Sequence, residues 1–554
     1  MVLQHFVSMK ENFIQSPREL VLDLSSVENG LSQFDEFIVL RRDEGITIYD
    51  RICDHNAGKL ITQGNRIICP MHGWELNPST GEYVNVEERK KPLYEGIMPS
   101  SKKIKVFLQN TERRLPQFSR VSNFTIRFLN HACLVVESDD IKFATDPWIF
   151  GPAFCTGWWL QFASPADAVE QLNSCDFIYI SHNHPDHLHR ETLARIDRAI
   201  PIITPAFTSG STEIYLRGLG FTNVNAVELG TSLVDHKNEI AFTLVKSGDF
   251  RDDSGLYFQI GSFTGLLTVD CKFIDSYRFN SDISFQASSF AGGASGFPFC
   301  FKNYSIAEQK RMGARNRSSA IATNLKMLNL SKPKYFMPYA GFFVESAYRD
   351  KEIYELNKKN SVGSYSLACE ENDIYLMDVL VSDTYEFKGK ELVSRWQSEA
   401  KKMPNANSSS YIKSFKEKYS YIDEEVIISY FENSDFNDNL DLKINLTDDD
   451  FITLETYSIR FFVNKKCVAS KGELLRRKNV RYLEINVRKE VFNCVIRERL
   501  PWEDISIGFQ CRIYREPNVY NSEFWYHFTN IYVSERANVA ARSCGPCKIL
   551  EQKF

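Results

Sequence analysis

The 554 residues exceed what one ordinary hydrophobic core supports, so a multidomain chain is expected. With 43% hydrophobic and 25% charged residues it is neither disordered nor fibrous, and a formal net charge of -5 with both signs interspersed argues against nucleic acid as a partner. Thirteen cysteines, an odd number without a secreted disulfide pattern, point to reduced thiols, so clustered Cys and His are read first as metal ligands.

The opening "MVLQHFVSMKENFIQSPREL" holds no signal-length apolar stretch, and no run of about 18 apolar residues follows, which predicts a cytoplasmic chain without a membrane span. Residues 1–115 read as a small all-β domain, with "FIVLRRDEGITIYDRIC" and "KIKVFLQN" as strands. It contains Cys53 and His55 as C-x-H, then Cys69 and His72 as C-x-x-H, with thirteen residues between the pairs. Two thiolates on one iron and two imidazoles on the other form the Rieske arrangement of a 2Fe-2S cluster. A Cys2His2 zinc site is the competing reading, disfavoured by the "HGW" that follows. A Rieske cluster passes single electrons and needs a client site.

Residues 120–350 read as an α/β layered domain. "NFTIRFLNHACLVVESDDIKFATDPW" alternates around an "ESDD" turn, "CDFIYI" is a buried strand, and "HRETLARID" has helical spacing. Between them "SHNHPDHLH" takes four of the ten histidines, on a strand-to-helix loop. The spacing sets His182 and His184 beside Asp186 and His187, enough for two adjacent metal positions, while His189 is read as a surface residue. The loop resembles the metal loop of the metallo-β-lactamase superfamily, and the resemblance implies further ligands from later strand ends: Asp270, which ends "LLTVDC", as a bridging carboxylate, and Asp249 in "KSGDFRDD" where a histidine is expected. Two or three imidazoles with one or two carboxylates approach the facial triad of non-haem ferrous oxygenases, so a mononuclear Fe(II) is expected, with zinc as the alternative.

Further candidates are His131, a pocket contact or a satisfied structural residue, and Asp146, which would fix the tautomer of a ligand histidine or cap a turn. Trp158 and Trp159 would wall the pocket or simply fill the core, Glu345 is a weaker pocket residue, and the glycines of Phe290–Pro298, without the Lys-Ser/Thr of a P-loop, read as a tight turn, with N–H groups offered to a phosphate or carboxylate as the other reading. Residues 351–554, with a polar linker "PNANSSS" and a late Cys544/Cys547 dithiol, are read as a separate α+β region.

"DPWIFGPAFCTGWWL", "ISHNHPDHLH", "LLTVDC", "SSFAGGASGFPF", "MPYAGFFVES" and "IGFQCRIYREPNVYNSEFWYHF", in this order, closely resemble the CMP-N-acetylneuraminate hydroxylase family, related to the mycobacterial UDP-N-acetylmuramic acid hydroxylase. The resemblance implies a Rieske domain joined to a metallo-β-lactamase-like αββα sandwich. It also implies a monooxygenase that converts the N-acetyl group of a nucleotide-activated sugar to N-glycolyl. The partners it implies are the nucleotide-sugar, molecular oxygen and an external electron donor, a ferredoxin or b-type cytochrome with an NAD(P)H reductase. Cys53, His55, Cys69 and His72 match the cluster ligands, and His182, His184, Asp186, His187 and Asp270 the metal-loop pattern; Asp249 stands where a histidine is expected. The rival from a different class is a zinc hydrolase with a redox-sensing Rieske module.

Overall fold

The computed structural model describes residues 5–10, 12–34, 37–51, 60–68, 75–84, 91, 94–97, 102–114, 116–207, 209–247, 252–271, 274, 282–398 and 406–532. Period-two patterning builds its centre. In the strand Phe177–Tyr179, Phe177 and Tyr179 face one core, while Ile178, followed by Ile180, faces another, so the strand is buried on both sides.

That strand lies in an eight-stranded sheet ordered Val224–Val227, Ile202–Pro205, Phe177–Tyr179, Lys142–Thr145, Cys133–Ser138, Asn123–Asn130, Thr384–Lys388 and Glu391–Trp396. A second eight-stranded sheet runs Val7–Lys10, Thr231–Asp235, Ile240–Lys246, Ser254–Ile260, Phe263–Val269, Phe285–Ser289, Tyr335–Tyr339 and Tyr375–Leu376. Aromatic rings lock the two together: Phe143 and Phe177 of the first sheet meet Phe242 of the second edge-on at 5.0 Å. Helices Ala168–Asn173 and Ser211–Gly218 cover the outer face of the first sheet through Leu172 and Leu216. The 26-residue helix Ile306–Ser331, opened by a Ser305/Glu308 capping box, is tied to the second sheet where Asn324 Nδ2 donates to Ser289 O at 2.8 Å. This is the expected αββα sandwich.

The sandwich does not stop at residue 350. Tyr375–Leu376 and the hairpin 384–396 complete the two sheets, so the boundary expected at residue 350 falls inside the domain. The outer strand Glu391–Trp396 is an edge with mostly exposed side chains, which removes the hydrophobic alternation that would have marked it as sheet. The expected linker "PNANSSS" is also corrected, because Ala406–Ser410 open the helix Ala406–Lys418.

Beyond it, the strands Cys467–Lys471, Thr453–Phe461, Leu440–Thr447, Arg481–Arg488 and Cys511–Glu516 form a five-stranded sheet with helices such as Lys489–Glu498. This α+β region shares one continuous apolar core with the sandwich. Backbone meets backbone at the junction: Ile513 N donates to Cys300 O at 2.6 Å, and Lys302 N to Ile513 O at 2.7 Å. Buried charges reinforce it. Arg488 pairs with Asp350 at 2.6 Å, and Arg349 pairs with Asp449 at 3.0 Å and also with Glu490. The approach is so close that a Cβ on Gly157 would sit 2.0 Å from Gly508 O, and one on Gly296 2.2 Å from Ser506 O.

The N-terminal part, in its described residues, forms strands and connecting loops, apart from a 3-10 turn at Leu24–Ser26. It comprises the sheet Gly30–Gln33, Phe37–Arg41, Gly45–Asp50 and Tyr94–Ile97, the smaller sheet Ile61–Gln63, Arg66–Ile68 and Glu75–Leu76, and the long pair Asn12–Asp23 with Lys103–Arg114. Cys53 and His55 fall between Asp50 and Ile61, and Cys69 and His72 between Ile68 and Glu75; all four lie outside the described residues, as do Cys544 and Cys547. No helix among the described residues is long and apolar enough to cross a membrane.

The junction can be tested at its tightest point. Gly157→Ala forces two backbones apart, and chemical denaturation should report a loss of about 1–3 kcal/mol, whereas Gly472→Ala, which meets no atom within 4 Å, tests strain alone at a position of positive φ.

Candidate metal centre

At one edge of the sandwich, strand ends from both sheets deliver polar side chains to a single point. His131 follows Asn123–Asn130, Asp146 follows Lys142–Thr145, the loop 181–189 follows Phe177–Tyr179, and Asp270 follows Phe263–Val269. His131, Asp146 and Val269 have φ of 46°, 35° and 52°, left-handed backbone for non-glycine residues. Such conformations cost about 1–3 kcal/mol each and concentrate where side-chain placement matters.

Asp146 organises the loop. Its Oδ1 accepts from Ser181 N at 2.7 Å; its Oδ2 accepts from Ser181 Oγ at 2.7 Å and from His187 Nδ1 at 3.1 Å. Because the Ser181 hydroxyl has spent its proton on Asp146, it accepts from His182 Nδ1 at 2.9 Å. Both rings therefore carry N–H on Nδ1 and present the lone pair of Nε2 inward. His184 is turned the other way round. Its Nε2 donates to Glu503 Oε1 at 3.4 Å, so Nδ1 faces His182 Nε2 at 2.8 Å. Two lone pairs cannot face each other at that distance without a cation or a shared proton between them. The outer hydrogen bonds are those that metal-ligating histidines usually make.

Two donor groups result, each with its ligand atoms within 4.8 Å of one another: His182, His184 and Asp270, and His131, Asp186 and His187. His187 Nε2 has no hydrogen-bond partner and lies 3.4 Å from Asp186 Oδ2 and 3.7 Å from Asp270 Oδ2. His131 Nε2 reaches Asp186 Oδ2 at 3.1 Å. Burial penalises charge on His182 and, with His187 and His184 adding to it, holds its pKa well below the usual histidine value. Burial opposes charge on His187 as well, but Asp186, Asp146 and Asp270 outweigh it and raise the pKa well above that value. At His184 burial is likewise overcome, by the Glu503 hydrogen bond, and the pKa rises to about 9. Asp186 would be raised by burial, yet His187 and His131 keep it well below the carboxylate range. The carboxylates thus favour positive charge at this point, which a bound metal ion would supply in place of protons. Nitrogen and oxygen donors without thiolate suit a first-row divalent ion, and two His with one carboxylate is the facial-triad set. Asp270 keeps 22% of its side chain accessible and His184 15%, whereas His187 is sealed, so the open side of the centre lies at the first group.

The structure brings His131, His182, His184, Asp186, His187 and Asp270 together, with Asp146 behind them. Asp249 lies outside the described residues; Asp253, four positions on in the same run, is buried with Oδ1 at 3.9 Å from His182 Nε2. His189 is not a surface residue. It is buried, caps the helix Arg190–Leu193, and packs 5.9 Å from Trp148, with Nε2 bonded to Pro152 O at 3.1 Å. The glycines of residues 290–298 serve close packing rather than an anion: Gly296 meets Ser506, and Gly293 leaves room for Asn357. Glu503 carried no signal in the sequence, because it lies more than 300 residues from the loop and in another domain. It is placed by Trp502, which is buried among Phe431, Phe492, Phe524 and Phe528 and donates to Tyr430 Oη at 2.8 Å.

Fold and donor set define a metal centre of the metallo-β-lactamase type, carried on one chain with a Rieske domain. The Beta-lactamase superfamily domain matches residues 125–251 and the Rieske [2Fe-2S] domain residues 21–108. The chain is similar to the cytidine monophosphate-N-acetylneuraminic acid hydroxylases. It is 28% identical to that of Pan troglodytes, over 93% of this chain and 94% of the relative, and 28% identical to that of Xenopus laevis, over 93% and 91%. The isothiocyanate hydrolase from Delia radicum gut bacteria overlays 49% of this chain and its own whole length at 14% identity, with a TM-score of 0.35.

Glu503→Gln keeps the shape but weakens the hold on His184 Nε2–H. Titration of the metal-free second centre with ferrous ion should show affinity reduced about 10- to 100-fold, with Asp146→Asn falling at least as far, since it loosens two ligands.

Proposed function

We propose that this chain is a monooxygenase that hydroxylates the N-acetyl group of a nucleotide-activated sugar to N-glycolyl, with electrons entering through the Rieske domain. The observation that carries the reading is the His182, His184 and Asp270 group, set on the same chain as a Rieske domain. Hydrolysis at a metal requires no electrons, so an electron-transfer module beside a facial triad points to oxygen chemistry.

Cys53, His55, Cys69 and His72 would hold the 2Fe-2S cluster, and His182, His184 and Asp270, with Asp186 and His187 alongside, would hold one or two iron ions. Iron bound there supplies the reduction of oxygen and the removal of hydrogen from an unactivated methyl group.

The protein's own groups do the rest. Asp146 and Ser181 hold His182 and His187 in one tautomer, and Glu503 does the same for His184. The rings of Phe154, Trp158 and Phe343, packed 4.5 Å and 3.6 Å apart in sequence, close one side of the centre to water. A small electron carrier, a ferredoxin or b-type cytochrome served by an NAD(P)H reductase, completes the system. The nine cysteines among the described residues are free thiols, which fits the reducing cytoplasm.

Mass spectrometry of CMP-N-acetylneuraminic acid and of UDP-N-acetylmuramic acid after incubation with a reductant should show a gain of one oxygen in one of them, in air and not under nitrogen. Cys53→Ser should lose the visible Rieske absorption and this product while retaining metal at the second centre. Equal turnover without oxygen or reductant would overturn the reading in favour of a hydrolase.

A further inference from the structure

Beside the metal centre, at the same edge of the sandwich, lies a cavity of about 800 Å³. That size is typical of small-molecule sites, which run to about 300–1,000 Å³. Three stretches singled out in the sequence meet there without supplying a metal ligand: Trp159 with Leu160, Phe290, and Phe342 to Ser346. Its charge is one-sided. Glu345 is the one acid among the described lining residues, and its carboxylate is taken by Lys359 Nζ at 2.7 and 2.8 Å and by Asn357 Nδ2 at 2.9 Å. The exposed Lys351 and Lys358, also in the lining, make no ion pair among the described residues.

An aromatic face stands next to that charge. Lys358 Nζ lies 5.9 Å from the centre of the Tyr354 ring, which is 52% exposed and so open to a flat partner. Two ammonium groups beside an accessible ring match a phosphate ester joined to an aromatic base. Phe343 links the cavity to the metal centre. The Lys359 ammonium is 4.5 Å from its centroid, Trp158 stacks on it at 3.6 Å, and the His131 ring is 6.2 Å away. A ligand in the cavity therefore sits behind this stack and out of contact with the metal ligands, where the part of a substrate remote from the reacting atoms would be held.

We propose that this cavity binds a nucleoside phosphate, with the phosphate on Lys351 and Lys358 and the base on Tyr354. The choice of nucleotide rests on the function proposed above. The occupant is either the activated sugar or the free nucleoside monophosphate, which share this chemistry.

Isothermal titration of the full-length holoprotein tests it, with cytidine monophosphate, CMP-N-acetylneuraminic acid and free N-acetylneuraminic acid as probes. Lys351→Ala/Lys358→Ala, both surface changes, should lower nucleotide affinity at least tenfold, with iron content, visible spectrum and binding of the free acid unchanged. Equal losses for the two nucleotides identify the activated sugar as occupant; a loss confined to cytidine monophosphate identifies the free nucleotide. Cytidine monophosphate bound equally by variant and wild type, or not bound by wild type, overturns the site. Hydroxylation by the wild type, assayed in parallel, judges the proposed function separately.

Discussion

The Asp146 carboxylate is the constraint on which the centre depends. It is fully buried, and burying an unpaired carboxylate costs several kcal/mol. Three donors answer that cost: Ser181 N, Ser181 Oγ and His187 Nδ1. Since hydrogen bonds have direction, this also settles which nitrogen of His182 and His187 faces inward. A neutral side chain in place of Asp146 would leave the Ser181 hydroxyl free to turn, and with it the His182 ring. The loop "SHNHPDHLH" is thus only half of the centre; the other half is a residue that binds no metal.

The second constraint is the fit of the C-terminal region against the sandwich. Small residues are required there because main chains, not side chains, touch: Gly157 against Gly508, and Gly296 against Ser506. The Arg349 and Arg488 ion pairs hold the same contact from the side, with both guanidinium groups and Asp350 buried, where a missing partner would leave an isolated charge. Trp502 fills the core just behind. Glu503, next in the chain, then has one place to go, and that is His184. The region beyond residue 398 is therefore part of the metal centre rather than an appendage to it.

Much of this was legible in the sequence and some was not, for physical reasons. The strand before the histidine loop and the loop itself follow from local patterning, Asp270 follows from the resemblance, and Asp146 was legible as either tautomer-fixing or turn-capping. His189 misled because its neighbours bind metal or face solvent, while its burial depends on Trp148 and Pro152, more than thirty residues away. The domain boundary was missed because an exposed edge strand carries no hydrophobic alternation. The glycines of residues 290–298 stayed open between a tight turn and an anion cradle because a close packing partner two hundred residues later leaves no local trace. Glu503 and Asp253 share that cause: tertiary contacts brought in donors that no spacing rule anticipates.

The composition of the donor set bears on which chemistry the fold can run. Carboxylates make up three of the seven donors once Asp253 is counted with Asp186 and Asp270, against His131, His182, His184 and His187. Each anionic ligand stabilises the higher charge of an oxidised ion more than the lower one, so a centre of this kind tolerates a change of oxidation state that an all-imidazole site resists. Zinc has no such change to make. The outer hydrogen bonds add to the effect, because Asp146 and Glu503 push negative charge onto the imidazoles they hold. A site that accommodates two oxidation states gains from a neighbour able to deliver electrons one at a time, and this chain carries that neighbour in its first 115 residues.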